Sequence, residues 1–518
     1  MTGSMLRLYN TRTHSVEPFT PLVDDTVRMY VCGLTPSAEA HLGHARSFLF
    51  FDILRRYLRH PRNGYRVRYV RNVTDIDDRS IATAHAEGRR YDEVVNDHFT
   101  SFQRSMRRLF VEDPDDEPHA TDYIAEILEM IDALVDRGAA YASADGVYFS
   151  VARFPRYGAL SNRNVDELLI GARIAVDEQK RDPLDFALWK FAKPGEPSWP
   201  SRYGAGRPGW HIECSAMSHA LLREPFDIHG GGYDLIFPHH ENEIAQTETF
   251  LGHGPMANVW MHGGLLLFDN RKMSKSLGNF EPLSALLDRL DPLAIRFLFL
   301  QTGYRKPMNF TDESIVGAAA GLQRLQKAAY RLSTAGRSTT SAAVPERIAP
   351  VSARFFDQLD DDVNTAGALG VLFELAGDDR GAAADVLALL REAAEVLGIE
   401  NAFSETALAA CSPEAVQRRA IADREVLIGR RYAEPAGDAL TEAPPEVGLV
   451  DRLKAAVGDI VSINGGGVTT AVEAVIAARN AARSSRDFAL ADRLRQALAA
   501  ERIVLKDAKD GTTWTIDG

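Results

Sequence analysis

The chain has 518 residues, with 45% hydrophobic and 25% charged residues and a formal net charge of −13, which allows several domains and a large core and excludes a surface basic throughout, though a local basic patch suffices for nucleic acid. Three cysteines, Cys32, Cys214 and Cys411, exclude a disulfide framework. The N-terminal MTGSMLRLYNTRTH has no apolar signal core and no apolar run is long enough to span a bilayer, so a soluble cytoplasmic protein is expected.

Val27 to Cys32 (VRMYVC) reads as a strand, Cys32 to Pro36 as a turn, and His41-Leu42-Gly43-His44 as the opening of a helix. Phe48, Phe51, Leu54 and Leu58 follow at helical spacing, and Arg66 to Val73 alternates as the next strand. Strand, His/Gly turn, helix, strand is the pattern of a nucleotide-binding α/β unit. Free amides at the helix start suit phosphate, and Gly43 removes a side chain where a nucleotide would lie close. By itself the HxGH turn serves a purely structural role equally well.

NVTDIDD at 72–78 precedes helical runs to about Gly138. An insertion is expected from Tyr148 to about Pro208, carrying DPLDF at 182–186 and a Pro/Gly-rich stretch at 193–209. Phe226 to Leu251 then starts as a strand at 226–228, breaks at Gly230 to Gly232, resumes at Leu235 to Phe237 and turns at Pro238 into a helix. His239 and Glu243 are four apart, so a helix places them on one face, where imidazole and carboxylate can hold a metal. The Cys214 thiolate in GWHIECS (209–215) favours zinc over magnesium or calcium. Singly, each of these residues also fits a solvated helix face or a small core position, but His211, His219, His229, His239 and His240 crowd the same region. Asn258 to Gly264 reads as a final sheet strand.

KMSKSLGN at 272–279 sets two lysines among small neighbours, a mobile loop able to close on a polyphosphate. Pro282 to Tyr432 is largely helical, with DDDVNT at 360–365 starting one helix and a Ser/Thr/Ala linker at 333–345. Glu434 to Gly448 is a second linker and Asn464 to Gly467 a third break. Val472 to Gly518 holds two helix-like runs, then strands at 503–505 and 512–515. Arg479, Arg483 and Arg486 stand at spacings that share a helix face.

HLGH at 41–44 with KMSKS at 272–276 resembles the class I aminoacyl-tRNA synthetases. Cys32, GWHIECS, GGGYDLIFPHHENEIAQ, NVTDIDD, DPLDFALWK, DDDVNTAGAL and the spacing of Arg483, Phe488, Asp492, Asp507 and Trp514 narrow the resemblance to the cysteinyl-tRNA synthetase family, nearly end to end. It implies an α/β chain: a Rossmann-type catalytic domain in two halves (1–147 and 209–265) around a connective insertion (148–208). A KMSKS loop and stem-contact region (266–312), a helical bundle (313–433), a linker (434–471) and a small mixed α/β anticodon-binding domain (472–518) follow. It also implies one zinc per chain on Cys32, Cys214, His239 and Glu243, beside the amino-acid pocket. An apolar pocket separates near-isosteres such as cysteine and serine by only about 1–3 kcal/mol. A zinc that takes the substrate thiolate does much better, so no editing domain is expected.

The implied reaction has two steps. The carboxylate of L-cysteine attacks the α-phosphorus of ATP, giving cysteinyl-adenylate and pyrophosphate; a terminal ribose hydroxyl of cysteine tRNA then attacks the adenylate carbonyl. The resemblance assigns ATP to His41, Gly43 and His44, charge on the leaving pyrophosphate to Lys275 with help from Lys272, and magnesium to ATP. It assigns the amino acid to Trp210, His229 and Asp234, and the anticodon to Arg483, Phe488, Asp492, Asp507 and Trp514. A monomer with no membrane partner is expected. LTPSAEA at 34–40 departs from the family's usual proline, tyrosine and aspartate, and 434–470 is longer than its usual join. Two other readings compete. A paralogous cysteine ligase of thiol biosynthesis couples cysteine to an amino-sugar, and Leu34-Thr35-Pro36 leans that way, but such ligases lack the unit holding Arg483 to Trp514. A non-catalytic tRNA-binding or zinc-stabilised protein has no need of His41, His44, Lys272 and Lys275.

Overall fold

The computed structural model describes residues 5–163, 180–268, 271–272, 281–335, 348–377, 383–412, 415, 457, 468–485, 487–500, 503–508 and 511–516. They fall into two compact units, Met1–Ala422 and Asp423–Gly518.

In the first unit a hairpin of β1 (Arg7–Asn10) and β2 (Ser15–Pro18) precedes β3 (Thr26–Leu34), α1 (Leu42–Arg59), β4 (Arg66–Val73), α2 (Asp78–Glu87), α3 (Tyr91–Arg108) and α4 (Ile124–Asp136). Next come β5 (Ala140–Ala142), β6 (Gly146–Phe149), β7 (Phe186–Phe191) and β8 (Gly206–Pro208), a four-stranded antiparallel sheet in that order. This sheet begins at Ala140, ahead of residue 148 where the sequence opens the insertion, because β5 and β6 pair into the same ladder as β7. After it, α5 (Trp210–Leu222), β9 (Phe226–Gly232), α6 (Glu241–Leu251) and β10 (Ala257–Gly263) return to a parallel sheet ordered β10-β9-β3-β4. The chain leaves β3 on one side for β4 and comes back on the other as β9. The strand order therefore reverses between β3 and β9, which opens a crevice at their C-terminal ends.

The triple glycine does not break β9 as the sequence suggests; the strand runs through Gly232. The reason is packing against α1, which buries Phe48, Leu49, Phe50, Phe51 and Leu54. A Cβ on Gly230 would lie 2.3 Å from the Phe51 ring, and one on Gly33 only 1.6 Å from the Asn72 carbonyl oxygen, so the missing side chains are what let these elements approach. Leu235 to Phe237 does not resume as a strand either. Tyr233–Leu235 is a tight helical turn, and Ile236–His240 an irregular one with extended backbone at Phe237 (φ −137, ψ 131).

The unit continues with β11 (Leu266–Phe268), β12 (Arg271–Lys272), α7 (Leu283–Arg289), α8 (Pro292–Leu300) and β13 (Met308–Phe310), whose strands form a sheet ordered β12-β11-β13. Buried Arg296 of α8 ties this region to α1 through Asp52 at 2.5 Å and to the carbonyls of Leu109, Phe110 and Leu397. The helices α9 (Asp312–Ala335), α10 (Ala349–Asp360), α11 (Thr365–Ala376), α12 (Ala383–Leu397) and α13 (Glu405–Ala409) follow. DDDVNT ends α10 and starts α11, with the Asn364 side chain capping through the Gly367 amide at 3.0 Å.

In the second unit α14 (Val468–Ser484) and α15 (Phe488–Ala500) pack with an antiparallel hairpin of β14 (Ile503–Ala508) and β15 (Gly511–Ile516). Its core holds Val457, Val472, Val475, Ile476, Leu494, Leu498 and Ile503. The three arginines of 479–486 do not present one solvent face. Arg479 is 4% exposed, whereas Arg483 is exposed and Arg486 lies outside the described residues. Arg479 follows Val472, Val475 and Ile476 on the apolar stripe, whereas Arg483 stands in the last turn of α14. Among the described residues, no helix is long and apolar enough to cross a membrane.

Candidate active site and metal centre

Four elements converge at the switch between β3 and β9. Cys32 comes from the end of β3, Cys214 from α5, His239 from the irregular turn and Glu243 from the first turn of α6. All four are buried, and one donor atom of each lies within 4.8 Å of the others. Cys32 Sγ is 3.7 Å from Cys214 Sγ and 3.3 Å from Glu243 Oε1, and His239 Nε2 is 2.9 Å from the same oxygen. A disulfide needs about 2.0 Å between sulfurs, whereas two thiolates on one tetrahedral ion, each at about 2.3 Å, stand about 3.8 Å apart. The donor separations therefore fit a shared metal.

The charges around this cluster are strongly perturbed. Burial pushes the Glu243 carboxyl up, but the imidazoles of His229 and His239 outweigh it and hold it well below the usual range. Burial pushes His239 down, and the charges of Glu243 and Cys214 bring it up to about 10. The Cys32 thiol is driven up by burial and by its neighbour Cys214.

A second overlapping set, Cys32, His229, His240 and Glu243, also gathers its donors within that radius. In this set His229 already spends its Nε2 on Glu243 as a support, while His240 is held through Nδ1. His229 Nε2 bonds Glu243 Oε2 at 2.7 Å and its ring stacks on Trp260 at 4.4 Å. His240 Nδ1 bonds His262 Nε2 at 2.7 Å, and His262 Nδ1 bonds Thr11 Oγ1 at 2.8 Å. His211 Nδ1 sits 2.9 Å from His239 Nδ1, so that His239 turns Nε2 toward the cluster. Such outer partners fix the orientation of metal ligands, and the paired thiols with the engaged Nε2 of His229 favour the two-thiol set.

Beside the cluster a cavity of about 700 Å³ opens at the strand ends, walled by Cys32, His41, His44, Asp234 and Gly263. HLGH caps α1 reciprocally: His41 Nδ1 accepts from the Gly43 amide at 3.1 Å and His44 Nδ1 from the His41 amide at 3.2 Å. With Nδ1 accepting, each neutral ring carries its proton on Nε2. Burial lowers both pKa values, that of His44 to about 3, which favours the neutral rings. Gly43 is needed by the turn itself, since a Cβ there would lie 2.9 Å from His41 Cε1. The atypical 34–40 segment contributes Thr35, Ser37 and Glu39 to the cavity wall, with Glu39 accepting from Ser101 Oγ at 2.7 Å.

A second cavity of about 1260 Å³ runs between the start of α2 and the antiparallel sheet, with Lys180, Lys190, Lys193 and Arg207 on its wall. It shares Arg79, Ala82 and Trp210 with the first. The Trp210 ring lies 4.4 Å from that of His239, so this residue borders both cavities and the cluster. Asp234 borders the first cavity, while fully buried His229 borders neither and bonds Glu243.

Lys272 stands on β12 opposite Leu267, and Lys275, with the rest of 273–280, lies outside the described residues. In the second unit Phe488 is 62% exposed and Asp492, one turn on, is exposed with it. Trp514 pairs with Leu505 and Asp507 with Thr512 in the hairpin. Arg79 escaped the sequence reading. The one signal for it was its place directly after NVTDIDD.

The chain matches the family models of the class I (C) tRNA synthetase catalytic domain over residues 18–320, the DALR domain over 354–401 and the cysteinyl-tRNA ligase anticodon binding domain over 466–514. It is 44% identical over 513 residues to the cysteine–tRNA ligase of Pseudomonas aeruginosa PAO1, covering 99% of this chain and 100% of the relative. It is 43% identical over 517 residues to that of Geobacter sulfurreducens, covering 99% of each. In fold it is similar to the methionyl-tRNA synthetase of Mycobacterium tuberculosis bound by methionyl-adenylate, with a TM-score of 0.53 at 15% identity over 74% of this chain and 96% of the other. It is also similar to the LeuRS of an Agrobacterium radiobacter ternary complex, with a TM-score of 0.56 at 10% identity over 76% and 86%.

Proposed function

The chain belongs to the cysteine–tRNA ligase family of class I synthetases, and from that premise we propose how its residues divide the work of activating L-cysteine with ATP and passing it to cysteine tRNA. The amino-sugar alternative is not favoured, because the similarity extends over the full length and through the C-terminal unit.

The observation that carries the reading is the pair of thiols 3.7 Å apart, with His239 and Glu243, on the wall of the HLGH cavity. Cys32, Cys214, His239 and Glu243 would hold one zinc, which supplies a thiophilic Lewis acid for the substrate thiolate. His229 orients Glu243, and His211 orients His239. Trp210 packs against the side chain of cysteine, and Asp234 faces its ammonium group. His41 and His44 donate from Nε2 to the phosphates, Gly43 keeps their turn tight, and Lys275 with Lys272 neutralises the leaving pyrophosphate. Magnesium accompanies ATP. The larger cavity, with its lysines, receives the 3′ end of the tRNA, and Arg483, Phe488, Asp492, Asp507 and Trp514 read the anticodon. Phe488 suits this role by offering an exposed ring for stacking. We retain the division into a split catalytic domain, insertion, stem-contact region, bundle, linker and anticodon-binding domain, and a monomer working in the cytoplasm.

The test is ATP–pyrophosphate exchange with the full chain, then charging of cysteine tRNA, alongside metal analysis. The expected outcome is exchange dependent on cysteine and indifferent to serine, with about one zinc per chain. Full activity without metal, or equal exchange with serine, would overturn the selectivity reading.

A further inference from the structure

The ATP-side cavity has to hold a strongly anionic ligand, yet its described wall is poor in positive charge. It carries the carboxylates of Glu39 and Asp234, and His41 and His44 are neutral, both lowered by burial. Among the described residues lining it, Arg79 alone is an arginine or lysine.

The first residues of α2 explain how that arginine is presented. Asp77 caps the helix, accepting from the Ser80 amide and hydroxyl at 2.7 Å through Oδ1, and takes Arg79 Nε at 3.1 Å through Oδ2. Asp78 engages Lys190 at 2.5 Å and also Arg207, so it neutralises cations of the larger cavity. Arg79 lies 5.8 Å from the Trp210 ring centre. Among the described residues neither of its Nη atoms has a hydrogen-bond partner, and its side chain is 65% exposed. A guanidinium anchored through Nε with both Nη ends open matches the fork that takes two oxygens of a phosphate. It also stands where the two cavities meet.

We propose that Arg79 is a catalytic residue of the transfer step, holding the adenylate phosphate as it becomes the leaving group. In that step the terminal ribose oxygen of the tRNA bonds to the cysteinyl carbonyl carbon. The bond from that carbon to the bridging oxygen of the mixed anhydride breaks, its electron pair leaves on AMP, and the hydroxyl proton passes to the released phosphate or to water. The KMSKS lysines serve a pyrophosphate that has gone by then, and the HLGH histidines bring neutral donors rather than charge. The charge that grows on AMP needs a permanent cation at the border where the incoming hydroxyl arrives, and a donor placed on developing charge accelerates the step.

The inference rests on the larger cavity being the entry of the tRNA 3′ end, and two sets of variants separate the two ideas. With the full chain, transfer from preformed enzyme-bound cysteinyl-adenylate to cysteine tRNA is timed in a single turnover, and ATP–pyrophosphate exchange is measured in parallel. Arg79→Gln is expected to slow transfer at least about tenfold more than exchange, and Arg79→Lys to recover part of the loss by restoring charge. Equal losses in both assays, no loss in transfer, or no recovery with lysine would each overturn the role of Arg79. Exposed Lys193 reports on the entry instead. Lys193→Glu is expected to raise KM for tRNA with exchange intact, and an unchanged KM would remove the tRNA from this cavity without deciding the Arg79 comparison.

Discussion

At Cys214 a single sulfur is proposed to serve in selecting the substrate. It is buried on α5 against Cys32, with no disulfide between them. Replacing it by serine removes one soft donor from a set of four and leaves a hydroxyl that binds zinc poorly. Cys214→Ser is therefore expected to lower the zinc content of the purified protein and to raise KM for cysteine by one to two orders of magnitude, on the order of what loss of ligand support costs. Metal analysis and exchange kinetics check it, and a variant with full metal and unchanged KM would remove Cys214 from the ligand set. The HLGH histidines follow a different logic. Their Nδ1 atoms are spent on the helix cap, so the same residues that start α1 are turned to offer Nε2.

Two contacts tie elements together near the site, the glycine end of β9 against α1 and Asp75, just after β4, against the turn at Ala120–Tyr123 that precedes α4. At Gly230 the strand has no room for a methyl group because the Phe51 ring of α1 fills it. Gly230→Ala is expected to cost about 1–3 kcal/mol, the range for overpacking a well-filled core, and a companion Phe51→Leu is expected to return part of it. Denaturant unfolding of the two variants reads this, and an unaltered midpoint for Gly230→Ala would deny the close approach. The turn at Ala120–Tyr123 is pinned by Asp75, which accepts from the Thr121 amide and hydroxyl and from His119 Nδ1 at 3.3 Å. The bond to Asp75 raises the His119 pKa above its ordinary 6.5. With the folded value raised, the stabilisation is fully present below the unfolded pKa and is lost as pH rises through the folded one. His119→Gln is thus expected to lower the melting temperature more near about pH 5 than near about pH 9; an equal loss at both would mean that the charge of the ring is not what holds the turn.

At the scale of the molecule, the proposed site of the chemistry and the proposed anticodon residues lie in different compact units. Deleting Val472 to Gly518 is expected to leave cysteine-dependent exchange nearly intact and to impair charging of cysteine tRNA severely. Arg483→Ala is expected to weaken charging with a shallower salt dependence, by up to about one counterion. A truncated protein that charges tRNA as well as the full chain would withdraw the anticodon role from this unit.

By itself the sequence determined the motifs and their order: HLGH, GWHIECS, the HHENE run and the paired C-terminal helices and strands. These are local, set by spacing, turn chemistry and hydrophobic period, and the four proposed zinc ligands could be named from them through the family resemblance. Other features came only from chain segments distant in sequence. Gly230 looks like a strand breaker until Phe51, on another element, is seen to occupy its side-chain space. Arg479 reads as one of three surface arginines until α14 packs its stripe onto Leu494 and Leu498. Arg79 gains its place only when the antiparallel sheet, assembled from strands that begin before residue 148 and strands within the insertion, closes a second cavity against the first. A one-dimensional pattern reports which face a residue occupies within its own element. What covers that face, and which cavity it borders, is decided by contacts between elements far apart in the chain.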